Sequence, residues 1–349
     1  MHACTIVARN YIPHARVVAE SFLSHHTQGR FTTLVIDDLD AGVSREEAFE
    51  RLSPLEIGLE PSEFWRMAAI YDVKELATSV KPWLLQTLLC DSDSVLYIDP
   101  DIEFFGSMDS VDDYTNHHGI VLTPHTRVPF PRDGCLPDDR MILLAGVYNL
   151  GFIGVGKSAM PFLDWWSERL ARDCLVAVKQ GYFVDQRWID FVPALFDHYV
   201  LRDPEYNVAY WNLHERDVRF DGSRYFVDAR PLVFFHFSGY DVQQPELLST
   251  HTGKRPRILL SARPELRRLC GHYRDRLIAA GYRIGGGPEY ALDRLPSGTR
   301  LDRRMRRIYR DALLESERTQ SDPPPNPFAD EPAFMAWLAD PQLGTIVSR

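Results

Sequence analysis

The sequence predicts an α/β fold, and three observations carry that prediction. Short apolar runs alternate with amphipathic stretches up to about residue 240, several of the runs end in polar or acidic residues, and an apolar fraction of 45% with 12% aromatics can fill a large core.

Residues 3–7 read as a strand ending at Arg9-Asn10. Pro13 opens a helical segment with Val17, Val18 and Phe22 on one face, and residues 31–36 form a second strand ending at Asp37-Asp38. Pro82 occupies a position that a first helical turn tolerates, residues 83–89 supply that helix's apolar face, and residues 94–98 form a buried strand ending at Asp99-Pro100-Asp101. Strands over 120–123 and 150–155, a tryptophan-bearing helix over 161–172 and a helix containing Trp188, Phe191 and Leu195 continue the pattern. Ligands of open α/β sheets bind outside the carboxyl ends of strands, so Asn10, Asp37, Asp99, Asp101 and the segment before Phe183 are expected in one crevice.

Beyond residues 232–236 the order changes. Residues 263–277 read as a helix, Gly285-Gly286-Gly287 breaks the chain, and residues 301–314 form a basic amphipathic helix carrying Arg303, Arg304, Arg306, Arg307 and Arg310, with Arg300 just before it. Pro323-Pro324-Pro325 with Asn326 and Pro327 reads as a stiff linker ahead of an aromatic segment with Phe334, Met335 and Trp337.

The 349 residues fit one large domain with a helical extension as well as two domains. A formal net charge of −10 argues against nucleic acid as a partner, because a phosphate backbone is repelled over most of the surface. Cys4, Cys90, Cys135, Cys174 and Cys270 are odd in number, widely spaced and without a CxxC, which predicts neither a disulfide framework nor a zinc site. The start of the sequence lacks a basic stretch followed by an apolar one, and the longest apolar runs are too short to span a bilayer. The expectation is a cytoplasmic protein whose membrane contact, if any, is peripheral at the inner face.

The chemistry centres on Asp99-Pro100-Asp101. Two carboxylates one residue apart after a buried strand can reach one hard cation, and Mg2+ or Mn2+ suits a site that supplies few protein oxygens and leaves room for substrate phosphates. Hydrophobic residues flank the pair on both sides, from Val95 to Ile98 and at Ile102, Phe104 and Phe105, which predicts a cleft rather than a loop tip.

The stretch from Lys81 to Phe105, with Lys81-Pro82, Leu84-Leu85, Leu88-Leu89 and Tyr97-Ile98-Asp99-Pro100-Asp101, resembles the retaining GT-A glycosyltransferases of the glycogenin and bacterial lipopolysaccharide galactosyl- and glucosyltransferase type, a family-8-like pattern. Tyr148-Asn149-Leu150-Gly151-Phe152, Asp185-Gln186 and His236-Phe237-Ser238-Gly239 follow in that family's order. The resemblance covers roughly residues 3–240. It implies a Rossmann-like, nucleotide-sugar-binding mixed sheet flanked by helices, divided into a nucleotide-binding half (1–105) and an acceptor-binding half (106–260). A mainly helical extension (261–320) and a Pro-rich linker with a short C-terminal segment (321–349) lie beyond it.

Residue by residue, the resemblance implies that Asp99, Asp101 and His236 hold the metal. His236 would otherwise read as a core histidine in an aromatic strand. Asn149 and Gly151 would approach sugar and acceptor, and Asp185 and Gln186 would lie beside the reactive face of the transferred sugar, although Asp185 also reads as a helix N-cap. Lys81 would meet the donor, Ala8, Asn10 and Asp38 match the general location of the nucleoside pocket, and Gly239 belongs to the diphosphate block. The implied activity is transfer of a sugar from a nucleotide-sugar, a UDP-sugar before a GDP-sugar, to a glycan or lipid-linked saccharide, with retention of anomeric configuration.

One departure stands out. The family carries a lysine three residues after the motif glycine, where this chain has Val242, so Lys254, Arg255 or Arg257 is expected to supply that positive charge. The basic helix suits either an anionic membrane surface or packing against the catalytic domain. Two rival classes remain: a noncatalytic sugar-nucleotide-binding scaffold, and a haloacid-dehalogenase-like phosphatase, whose aspartate nucleophile normally ends the first strand.

Overall fold

The computed structural model describes residues 1–38 and 47–340; residues 341–349 of the expected C-terminal segment lie outside the described residues. β1 (His2–Val7), α1 (Ile12–His25) and β2 (Arg30–Val35) make the βαβ start, with β1 and β2 parallel. Pro13 sits in the first turn of α1, where a missing N–H is no loss. β3 (Glu50–Leu52) adds an edge strand beside β2. Then come α2 (Pro61–Ile70), α3 (Val73–Ser79) and α4 (Lys81–Leu89). The Asp72 carboxylate caps α3 by accepting from the Glu75 N–H at 3.0 Å.

β4 (Ser94–Ile98) runs parallel to β1 and is followed by β5 (Ile102–Phe104) and α5 (Asp109–His118). β6 (Ile120–Pro124), α6 (Asp139–Ala145) and the long β7 (Tyr148–Gly156) come next, then α7 (Met160–Asp173). β8 (Val176–Ala177) and β9 (Tyr182–Phe183) form a small hairpin. The helix expected around Trp188 is a 3-10 stretch, Gln186–Phe191, running into α8 (Val192–Leu195) ahead of β10 (Tyr199–Val200).

The central sheet has seven strands in the order β10-β6-β7-β4-β1-β2-β3, and β7 alone runs against its neighbours. It is the mixed α/β sheet that the sequence predicts. Side chains alternate cleanly across it. Cys4, Ile6, Leu34, Val95, Tyr97, Ile153 and Val155 face one core, whereas Ala3, Val7, Phe31, Val35, Leu96, Ile98 and Phe152 face the other.

β11 (Val218–Phe220), β12 (Tyr225–Val227) and β13 (Arg230–Pro231) form a meander, and β14 (Phe234–His236) leaves it to pair antiparallel with β5. The helical extension consists of α9 (Pro264–Ala279) and α10 (Arg303–Thr319), and the C-terminal segment after the Pro-rich stretch adds α11 (Glu331–Leu338). It is no appendage, because Tyr290, Leu292, Leu301, Tyr309, Leu313 and Phe334 belong to the same buried cluster as Ile6, Leu34, Phe64 and Leu84.

The basic helix α10 turns several of its arginines onto the body of the protein. Arg306 is fully buried and donates to the carbonyls of Ala68 and Tyr71 at 2.6 Å, Leu292 at 2.7 Å and Leu301 at 3.2 Å. Arg307 reaches the Ile70 carbonyl and Glu75, and Arg310 reaches the Arg172 carbonyl and Asp173. Among the described residues no helix is long and apolar enough to cross a membrane.

Candidate active site

Strand register assembles the site. Because Ile98 pairs with Phe152, the next residue of β4's extension meets β7 again, and the Asp99 N–H donates to the Gly151 carbonyl at 2.7 Å. Because Ile102 pairs with His236, the end of β14 lies beside Asp101, and the Phe237 N–H donates to the Asp101 carbonyl at 2.8 Å. The β5/β14 ribbon thus delivers a histidine from a distant stretch of sequence to the two aspartates.

One ligand atom from each of Asp99, Asp101 and His236 lies within 4.8 Å of the other two. His236 Nε2 is 3.0 Å from Asp101 Oδ1 and 3.8 Å from Asp99 Oδ2. Two hard carboxylate oxygens and one imidazole nitrogen suit Mn2+, and they fit Mg2+ less well only in the nitrogen. Gly151 makes room for the His236 ring, since a Cβ there would stand 2.2 Å from His236 Cε1. That close approach is the physical reason for glycine at 151. Burial disfavours both charges of the Asp101–His236 pair, yet each partner more than offsets it, so the Asp101 carboxyl is held below its usual range and the His236 imidazole above its own.

Asn207, which the sequence reading did not single out, orients this histidine. Its amide nitrogen donates to Thr123 Oγ1 at 2.7 Å and to Asn149 Oδ1 at 2.9 Å, which turns Asn207 Oδ1 toward His236 Nδ1 at 3.3 Å. With Nδ1–H donating there, Nε2 is the nitrogen turned toward the carboxylates and free to bind a cation once the imidazole is neutral. Asn207 has a φ of +51°, a left-handed conformation that asparagine tolerates better than most residues. Trp211 was missed as well. Its ring stands edge-on to His236 at 5.1 Å and to His125 at 5.2 Å, and its buried Nε1 has no hydrogen-bond partner.

Beside the triad lies a buried ion pair. Lys81 Nζ is 2.7 Å from Asp185 Oδ2 and 3.8 Å from Asp99 Oδ1, donates to the Leu150 carbonyl at 3.0 Å, and sits 4.1 Å from the Tyr97 ring centroid. Burial alone would lower the Lys81 pKa, but Asp185 and Asp99 outweigh it and raise it; burial also pushes the Asp185 carboxyl up against the pull of Lys81. The carbonyl and the ring face both favour Lys81 as an ammonium. Asp185 stands at the start of the Gln186–Phe191 turn, but its side chain caps no N–H. Gln186 Oε1 accepts from Leu150 N–H at 3.0 Å and from Asn149 at 3.3 Å, while its amide nitrogen donates to the Ala145 carbonyl at 2.9 Å.

The expected nucleoside side is assembled less tightly. Ala8 is buried, and Asn10 presents a buried Oδ1 without a hydrogen-bond partner. Asp38 pairs with Arg51, whereas Asp37 is the buried acid, accepting from the Arg9 N–H at 2.8 Å and the Ala291 N–H at 3.2 Å. Gly239 has a φ of +70°, and a Cβ there would fall 2.6 Å from both Ser249 Oγ and His251 Cδ2.

The structure narrows the search for the missing lysine. Val242 is a core residue at 3% exposure, so its position faces away from solvent. Arg257 is occupied by Asp133 and by the carbonyls of Pro131, Cys135 and Pro137. Lys254 is exposed, with no ion-pair partner among the described residues.

No family model matches the chain. It is 25% identical over 247 residues to the uncharacterized protein YfnF of Bacillus subtilis (strain 168), covering 68% of this chain and 81% of that one. It is 23% identical over 250 residues to the uncharacterized protein YfnD of the same strain, covering 68% and 78%. Among solved structures it resembles a galactosyltransferase, LgtC, in complex with donor and acceptor sugar analogs, at 15% identity and a TM-score of 0.45 over 83% of this chain and 98% of that one. A glycosyltransferase involved in glycosylation of the major capsid of PBCV-1 follows at 12% identity and a TM-score of 0.41, over 69% and 94%. These superpositions are too coarse to carry residue roles across.

Proposed function

We propose that this chain is a metal-dependent glycosyltransferase of the GT-A type that moves a sugar, with retention, from a nucleotide-sugar to a glycan or lipid-linked saccharide. The observation that carries the proposal is the convergence of Asp99, Asp101 and His236 next to the buried Lys81–Asp185 pair at the carboxyl end of β4. In this reading Asp99, Asp101 and His236 hold Mn2+ or Mg2+, which would neutralise charge on the departing diphosphate.

The chain's own groups do the rest. Asp185 and Gln186 border the transferred sugar, with Lys81 fixing the Asp185 carboxylate. Asn149 stands between Gln186 and Asn207, so it links the sugar side to the orientation of His236. Asn10 Oδ1 and Trp211 Nε1 are buried polar atoms awaiting partners, as expected of a cleft that binds a polar ligand. Ala8, Asn10 and Asp38 form the nucleoside side, and UDP is the preferred base carrier over GDP. The halves 1–105 and 106–260 take donor and acceptor. For α10, the burial of Arg306 favours packing over a membrane role.

The test is thermal melting with UDP or GDP, with and without Mn2+, followed by donor hydrolysis. A Mn2+-dependent rise in Tm with one nucleotide and slow release of sugar support the proposal. Binding without any turnover returns the scaffold reading, and no shift with either nucleotide sinks both.

A further inference from the structure

The cleft is short of positive charge. Resting on the nucleotide-sugar reading above, a divalent ion together with Lys81 would offset the carboxylates of Asp99, Asp101 and Asp185 and leave a bound diphosphate uncompensated. Lys81 is fully buried and held by two carboxylates and a carbonyl, so its charge is already matched within the protein. Arg9 is paired with Asp37 and Arg257 with Asp133.

We propose that Lys74, on α3, is the cation that grips the diphosphate of the donor, with His251 facing it from the Gly239 side of the cleft. Lys74 is exposed, and its Nζ lies 5.2 Å from the Phe183 ring centroid, at the end of the hairpin that leads directly into Asp185. It has no carboxylate partner among the described residues. Lys81 opens the next helix, so α3 and α4 carry one exposed and one buried ammonium within seven positions of each other.

His251 lies beside Gly239. It packs on Gly239 so closely that no Cβ fits there, and its ring lies 5.9 Å from Tyr210, which in turn stacks edge-on with Trp211 beside His236. Its imidazole is held below the usual range, first by burial and then by the charge of Lys74, while Asp101 pulls the other way. Lys74, His251 and Asp101 therefore share one electrostatic neighbourhood.

The experiment is calorimetric binding of UDP, GDP, uridine and guanosine in Mn2+ to the full chain and to its Lys74→Gln, Lys74→Arg and Lys254→Gln variants. The exposed position of Lys74 keeps the melting temperature of the ligand-free variants near that of the parent. Expected is a roughly tenfold or larger loss of diphosphate affinity in Lys74→Gln, partial recovery in Lys74→Arg, and nucleoside affinity unchanged. Equal losses for UDP and uridine overturn the proposal, as does a loss confined to Lys254→Gln. If the parent chain binds neither UDP nor GDP, the nucleotide-sugar reading itself falls. Parent binding with an unaffected Lys74→Gln removes Lys74 alone.

Discussion

Lys81 and Arg306 are both buried to 1% exposure, and the protein treats the two charges oppositely. Lys81 in the cleft is balanced by two carboxylates, one of which, Asp99, belongs to the group proposed to hold the metal. Arg306 in α10 is held by four backbone carbonyls, with Asp293 at 3.6 Å on the solvent side. Carbonyl dipoles satisfy a charge without offering an alternative ionic partner, so Arg306 is a fixed clasp. Carboxylates shared with a metal site can exchange partners as a cation and substrate arrive, so Lys81 is set in an adjustable network.

Removing each cation tests that contrast. Lys81→Met strands the Asp185 carboxylate and should destabilise the chain by roughly 3–5 kcal/mol in chemical denaturation. A Lys81→Met/Asp185→Leu double variant should regain much of that stability and no turnover. Full stability of Lys81→Met would mean that the pair is not ionic. Next in size, Asp101→Asn should lower turnover about 10²–10³-fold with little change in metal-free melting, because it alters a ligand without opening a core cavity. Undiminished activity in that variant removes the metal assignment.

Arg306→Met leaves carbonyls unpaired but no buried charge, so the expected loss is smaller, roughly 2–4 kcal/mol, with turnover per folded molecule unchanged. A fall in turnover at unchanged stability would make the clasp part of the active site. The smallest effect is on pH. A metal needs neutral His236, whose pKa is raised by Asp101 and Asp99 against its burial. Mn2+ affinity should therefore fall about tenfold per pH unit below that raised value and level off above it. Arg306 does not titrate in this range, so the stability it provides should show no matching step.

Much of this was readable beforehand because it is local. Short apolar runs marked β1, β2, β4, β6 and β7 of the central sheet but not its edge strands β3 and β10, and the acids after β4 follow from a strand end. The Lys81–Asp185 pair was not readable as a pair, since 104 residues separate its members and nothing in either segment names the other. Asn207 lies in an irregular stretch whose role depends on three long-range hydrogen bonds. The arginines of α10 could be read as a solvated or membrane-facing stripe, because periodicity reports which residues share a face and not whether backbone carbonyls wait opposite it. The metal triad fell between these cases, with two members adjacent in sequence and the third reached through the family pattern.

The membership of Tyr290, Leu292, Tyr309 and Phe334 in the core of the first half bears on biosynthesis. A ribosome releases β1 to β4 long before α10 and α11, so the opening βαβ unit emerges with part of its apolar surface unmatched. It must wait, shielded by a chaperone or loosely collapsed, until the last helices leave the exit tunnel. Premature termination before residue 290 should consequently yield aggregates rather than a shortened but soluble sheet.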